Sequence, residues 1–268
     1  MKLSFSNIAW SSDEDAGALE ILSQHGIQHI EAAPGRLWHN LDQATVLDAV
    51  ERRQVFENQK FFISGFQAVL FGRAELLLFN AEKIQELSSY LCHLAALCGG
   101  VGGSYLVFGA PKNRWVPEGM HPQEAFEIAV RFFKELGLEA VKRGVAFGIE
   151  ANPSDYGCNF CTTVAEVARL VRAVDSQGVR WHLDTGEMAM NKELLPDVIS
   201  ANLDLVGSIH ISGPLLGGFE SPWSGHAAVA ECIKGHGYSG FVAIEMKRQV
   251  SGLEAVKTAI DFVQKTYF

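Results

Sequence analysis

In the second half of the chain, four mostly apolar runs each end in one ionisable residue. Val145–Ile149 runs into Glu150, Val179–Leu183 into Asp184, Leu205–Ile209 into His210, and Phe241–Ile244 into Glu245. Burying such a group without a partner is costly. Three carboxylates gathered at one point would also repel, driving at least one of them towards its protonated form. A divalent cation removes that conflict, and three carboxylate oxygens with one imidazole nitrogen suit Mn, Mg, Co or Zn. Taken singly, each residue reads equally well as a strand-end charge that is solvated or paired with a loop. Four in succession point instead to a shared ligand.

Something must bring these four ends together. The strand candidates are Leu3–Ala9, Ile27–Ala33, Phe61–Gln67, Ser104–Gly109, Val145–Ala151, Val179–Asp184, Leu205–Ile211 and Phe241–Met246. Most are near-continuous apolar runs, as expected of strands buried on both faces. Helical periodicity fills the gaps. Over Gln123–Arg143 the residues Phe126, Ile128, Ala129, Phe132, Phe133 and Leu136 make one apolar stripe, and Gly144 stops it. Asp13–His25 and Ala81–Cys98 read the same way, and Thr162 or Thr163 caps a helix through Leu170 and Val174.

Eight such units in 268 residues match a (β/α)8 barrel (TIM barrel) of roughly 250 residues, with chemistry at the carboxyl ends of its strands. A doubly wound sheet would carry a glycine-rich phosphate turn after the first strand, and Ala9-Trp10-Ser11-Ser12 is not one. With no linker or low-complexity segment, residues 1–268 read as one α/β barrel domain.

The 22 basic and 31 acidic residues give a net charge of −9, which disfavours nucleic acid and anionic membranes as partners. No run approaches the roughly 18 apolar residues of a membrane span. Met1–Asn7 lacks the apolar stretch of a signal peptide, so the expected location is cytoplasmic. The 5 cysteines are odd in number, against a disulfide framework. Cys158-Asn159-Phe160-Cys161 has redox-pair spacing, but no second such pair accompanies it, so loop packing is the expectation.

The chain resembles the xylose-isomerase-like barrels, in particular their sugar isomerase and ketose 3-epimerase branch. The matching stretches are Gly148-Ile149-Glu150-Ala151-Asn152-Pro153, His182-Leu183-Asp184-Thr185-Gly186, Ser208-Ile209-His210-Ile211-Ser212 and Gly237-Tyr238-Ser239-Gly240 through Glu245. Phe108-Gly109-Ala110-Pro111-Lys112-Asn113-Arg114 is similar as well. The resemblance implies that Glu150, Asp184, His210 and Glu245 hold one divalent metal, usually Mn, Mg or Co. It further implies that Glu150 and Glu245 act as an acid/base pair on a monosaccharide or derivative, through a metal-stabilised enediolate. Relatives often form homo-oligomers. Inosose-type dehydratases share this chemistry and are the nearest rival. An apurinic-site endonuclease-like nuclease would need histidines where this chain has Gln67, Phe108-Gly109 and Glu187, and a non-catalytic sugar-binding barrel would not need all four ligand residues.

Two departures concern the substrate. Glu187 stands where the epimerases carry a substrate-contacting histidine, and Leu216 stands where they carry an arginine. Lys112 or Arg114 could restore the positive charge, or belong to a solvated loop. His182, two residues before Asp184, points inward with it and reads either as a group that orients a ligand carboxylate or as a satisfied core histidine. His226 and Gln67 are candidate substrate contacts, and Glu31 could reach a substrate hydroxyl or pair with Arg36. Trp10, Trp38 and Trp115 fall on rim loops, where an aromatic face could stack on a sugar.

Overall fold

A computed structural model describes residues 1–193 and 196–268. Eight parallel strands close into a barrel in sequence order: β1 (Lys2–Ser6), β2 (His29–Ala32), β3 (Phe62–Phe66), β4 (Tyr105–Phe108), β5 (Ala146–Glu150), β6 (Val179–Asp184), β7 (Val206–Ser212) and β8 (Phe241–Glu245), which pairs back onto β1. Every expected strand is present. The first is shorter than its apolar run because Asn7–Ala9 turns into a single 3-10 turn, in which Asn7 Oδ1 accepts a hydrogen bond from the Ala33 amide at 2.9 Å.

The helices are α1 (Asp15–Gln24), α2 (Pro34–Leu37), α3 (Val46–Asn58), α4 (Ile84–Gly100), α5 (Pro122–Val141), α6 (Val164–Val174), α7 (Thr185–Met190), α8 (Pro196–Asn202), α9 (His226–Gly235) and α10 (Leu253–Tyr267). Local sequence sets their ends. α5 opens on Pro122, whose missing N–H costs nothing at that position, and Gly144 turns the chain away at φ +69. Of the two candidate caps for α6, Thr163 accepts from the Glu166 amide, and Glu166 Oε2 accepts in return from the Thr163 amide. The α5 stripe buries Ala129, Phe132, Phe133 and Leu136, while Phe126 and Ile128 sit at its half-buried margin. No described helix is long and apolar enough to cross a membrane.

Strand register positions the chemistry. Asp184 pairs with His210 across β6–β7, Glu150 with His182 across β5–β6, and Ser212 with Glu245 across β7–β8. Inside the barrel, small residues leave room for these groups. A Cβ on Gly148 would approach His182 Cβ to 2.9 Å.

Candidate metal centre and active site

The four expected ligand residues converge. His210 Nδ1 lies 3.1 Å from Glu245 Oε2 and 3.6 Å from Asp184 Oδ2, and all of these side chains are buried. Burial, reinforced by Asp184 and Glu245, pushes the Glu150 carboxyl up to about 8. Burial also raises Glu245, although His210 pulls it back. On His210 burial opposes charge, but Glu245 and Glu31 outweigh it and hold the imidazole well above its ordinary value.

The site also fits a metal in its unsatisfied atoms. His210 Nδ1 is buried, faces two carboxylates, and makes no aligned hydrogen bond. A divalent cation would take the place of a proton at that nitrogen and neutralise the crowded carboxylates. Two overlapping triplets, Glu150–His182–His210 and Glu31–His210–Glu245, each place one ligand-capable atom per residue within 4.8 Å of the other two. His182 and Glu31 therefore stand closer to the centre than the strand-end pattern anticipates.

The supporting contacts are specific. Asp184 caps α7: its Oδ1 accepts from the Glu187 amide at 2.8 Å and from Ser212 Oγ at 2.8 Å. Asn152 Nδ2 donates to Glu150 Oε2 at 3.0 Å and also to Glu187 Oε1. Burial, followed by Glu150 and Asp184, holds Glu187 well above the carboxylate range, and its Oε2 has no partner. His182 Nδ1 is 2.7 Å from Ser208 Oγ, and its Nε2 lies 3.9 Å from Glu150 Oε1 without a hydrogen bond. Burial keeps that ring neutral. Gly109, at the end of β4, leaves the space that Glu150 Oε2 occupies, since a Cβ there would overlap it.

Several expectations change. Glu31 reaches neither Arg36 nor the rim. It is fully buried, accepts from the Tyr105 hydroxyl at 2.7 Å, and lies 2.8 Å from His210 Nε2. Arg36 instead donates to Asp15 and to the Asn7 and Trp10 carbonyls. Arg114 is neither a solvated loop residue nor a free cation at the rim. It is 1% exposed and donates through Nη2 to the Glu150 carbonyl at 2.7 Å, beneath Cys158 and Cys161, both of which are free thiols. Lys112 is exposed.

His226 sits in an aromatic cage of Phe219, Trp223, Phe262 and Tyr267, with Nδ1 2.7 Å from the Tyr267 hydroxyl. Its burial pulls the imidazole down to about 4. Trp115 lines an outer groove of about 700 Å³ with Phe126, Phe160 and Arg169. Trp10 is buried and donates to Asp15, and Trp38 packs edge-on to Phe66. Gln67 is buried and donates to Ser6 Oγ at 3.1 Å.

Sequence reasoning missed Tyr156, half-buried on the loop after β5. Burial, then Asp184 and Glu187, raises its phenol. It also gave no role to Asn152 and Ser212, although both lie inside the motifs that carry Glu150 and His210.

The solved structures most like this chain include D-psicose 3-epimerase with D-tagatose from Clostridium cellulolyticum H10, with 15% identity, a TM-score of 0.81, and coverage of 100% of this chain and 99% of that one. The E. coli 3-keto-D-glucoside 4-epimerase YcjR shares 15% identity at TM-score 0.77, with 99% of both chains covered. The IOLI protein with a bound zinc atom shares 20% at TM-score 0.71, covering 99% of this chain and 96% of that one. At these identities the likeness speaks for the fold. No curated protein matches the sequence. The profile of the xylose isomerase-like TIM barrel matches residues 19–266, nearly the whole closed barrel with its strand-end cluster, and the chain belongs to that family.

Proposed function

We propose that the chain is a divalent-metal-dependent isomerase or epimerase of a monosaccharide or close derivative, built as one domain over residues 1–268, with Glu150 and Glu245 as its acid/base pair. The observation that carries this reading is the gathering of Glu150, Asp184 and Glu245 around a His210 nitrogen that has no hydrogen bond of its own. Glu150, Asp184, His210 and Glu245 would hold the cation, which would supply counter-charge and Lewis-acid polarisation of a substrate carbonyl. Mn, Mg, Co and Zn all suit the donor set.

Proton transfer falls to the glutamates. Their strands β5 and β8 are separated by β6 and β7, which supports approach to a substrate from two sides. One carboxylate removes the proton next to the carbonyl, and the other returns a proton to the opposite face, inverting that carbon. Returning it to the neighbouring carbon interconverts aldose and ketose.

Asn152 holds Glu150, His182 backs it with Ser208 behind, and Glu187, Tyr156 and Gln67 are the polar groups available to substrate hydroxyls. Sugar-acting structural neighbours support this substrate class, and the zinc in the IOLI structure supports a divalent ion. The acidic Glu187 and the apolar Leu216 support a hydroxyl-binding pattern of this chain's own.

The test is proton NMR in deuterium oxide of a ketose panel incubated with Mn-loaded protein, beside a chelator-treated control. Metal-dependent loss of a C–H signal next to the carbonyl is the expected result, and the exchanging carbon separates 3-epimerisation from aldose–ketose isomerisation. If metal is bound and no ketose or cyclitol ketone exchanges, the proposal fails.

A further inference from the structure

We propose that Glu31, held by Tyr105, is a positioning residue that keeps the His210 proton on Nε2, leaving Nδ1 as the atom that takes the metal. The inference rests on the metal-centre reading above and adds a residue from the opposite half of the barrel. Both Glu31 oxygens lie within hydrogen-bond distance of His210 Nε2, at 2.9 and 2.8 Å. Glu31 is wholly buried, so it needs partners, and Tyr105 provides the second by donating to Oε1 at 2.7 Å. Burial and the facing carboxylate raise the Tyr105 phenol well above its ordinary value, so it remains a donor.

The support continues inward. The Tyr105 hydroxyl lies 3.3 Å from Ser64 Oγ, which is 2.8 Å from Ser4 Oγ. A hydrogen-bonded line thus joins β1, β3, β4 and β2 to the ligand on β7.

The ring nitrogens of an imidazole point in diverging directions, and the partner of one decides the role of the other. On His210, Nε2 faces Glu31, while Nδ1 faces Asp184 and Glu245. The triplet Glu31–His210–Glu245 raises the competing arrangement, in which Glu31 is itself a ligand. The contacts of Glu31 argue against it, since Tyr105 and His210 Nε2 between them engage both of its oxygens.

The experiment titrates Co²⁺ into chelator-treated wild type, Glu31→Gln and Tyr105→Phe, with circular dichroism as the control for folding. Nitrogen NMR of cadmium-loaded, histidine-labelled wild type then identifies the bound ring atom by its metal–nitrogen coupling. The expected results are one Co²⁺ per chain, an affinity about 10–100-fold weaker in Glu31→Gln, a smaller loss in Tyr105→Phe, and coupling at Nδ1 with a proton on Nε2. A purely structural role for Glu31 would not fix the tautomer. Coupling at Nε2, unchanged affinity in both folded variants, or complete loss of binding in Glu31→Gln (which would make Glu31 a ligand) each overturn the inference. Should Glu31→Gln fail to fold, Tyr105→Phe and the wild-type spectrum decide. Failure of wild type to bind Co²⁺ removes the metal centre and this inference together. Metal binding as expected without sugar turnover removes only the proposed activity.

Discussion

The carboxyl ends of β5–β8 each deliver one ionisable group to a common point, whereas β1–β4 end in Ser6, Ala32, Phe66 and Phe108. On the proposed function, the second half of the barrel holds the reactive groups, and the first half holds those groups still. Glu31 on β2 fixes His210, Tyr105 on β4 fixes Glu31, Arg114 beyond β4 grips the Glu150 carbonyl, and Gly109 leaves space for the Glu150 carboxylate. Closing the sheet lets one half support the other, because β1–β4 reach across the interior to residues far away in sequence. The lesson is that a strand-end charge marks chemistry, while buried polar groups on the facing strands mark what aims it.

This division can be broken or sharpened experimentally, and the largest effect belongs to the reactive half. Glu150→Gln keeps the shape of the side chain but not its base, and steady-state turnover should fall about 10²–10⁴-fold, with folding unchanged by circular dichroism. The aromatic cage behind β8 should show itself in acid. His226 titrates near 4 in the folded protein against about 6.5 unfolded, so protonation favours the unfolded chain. Its contribution to stability is intact above pH 6.5 and is lost as pH falls towards 4. Chemical denaturation across that range should show up to about 3 kcal/mol of loss in wild type and a shallower decline in His226→Gln.

Gly109→Ala tests the supporting half. The added Cβ displaces Glu150 Oε2, and turnover should drop about 100-fold with melting temperature nearly unchanged. The smallest effect lies outside both halves. Thr163→Ala removes the cap of α6 and should cost about 1 kcal/mol in urea unfolding, with activity per folded molecule retained.

The fold was legible because each strand is an apolar run bounded by turn residues, and because Gly144 and Thr163 mark helix ends by mechanisms that act within a few residues. The four-residue cluster was legible for a similar reason, since a lone charge after an apolar run is a local signal. The supporting contacts were not. Glu31 pairs with a residue 179 positions away, a partner that only the closed barrel reveals. Arg114 looks like a loop cation until the loop after β5 covers it. The enclosure of His226 by four aromatic side chains was not legible either, since Phe262 and Tyr267 lie on α10, far away in sequence. Tyr156 gave no signal, since one tyrosine in a loop has no periodicity to betray it.

The most direct test of the central claim is anomalous diffraction from crystals of the protein soaked in Mn²⁺. The account predicts a single peak bounded by Glu150, Asp184, Glu245 and His210 Nδ1, with Glu31 still bonded to Nε2. A peak on other residues, or none at a Mn²⁺ concentration that saturates binding in solution, would contradict it.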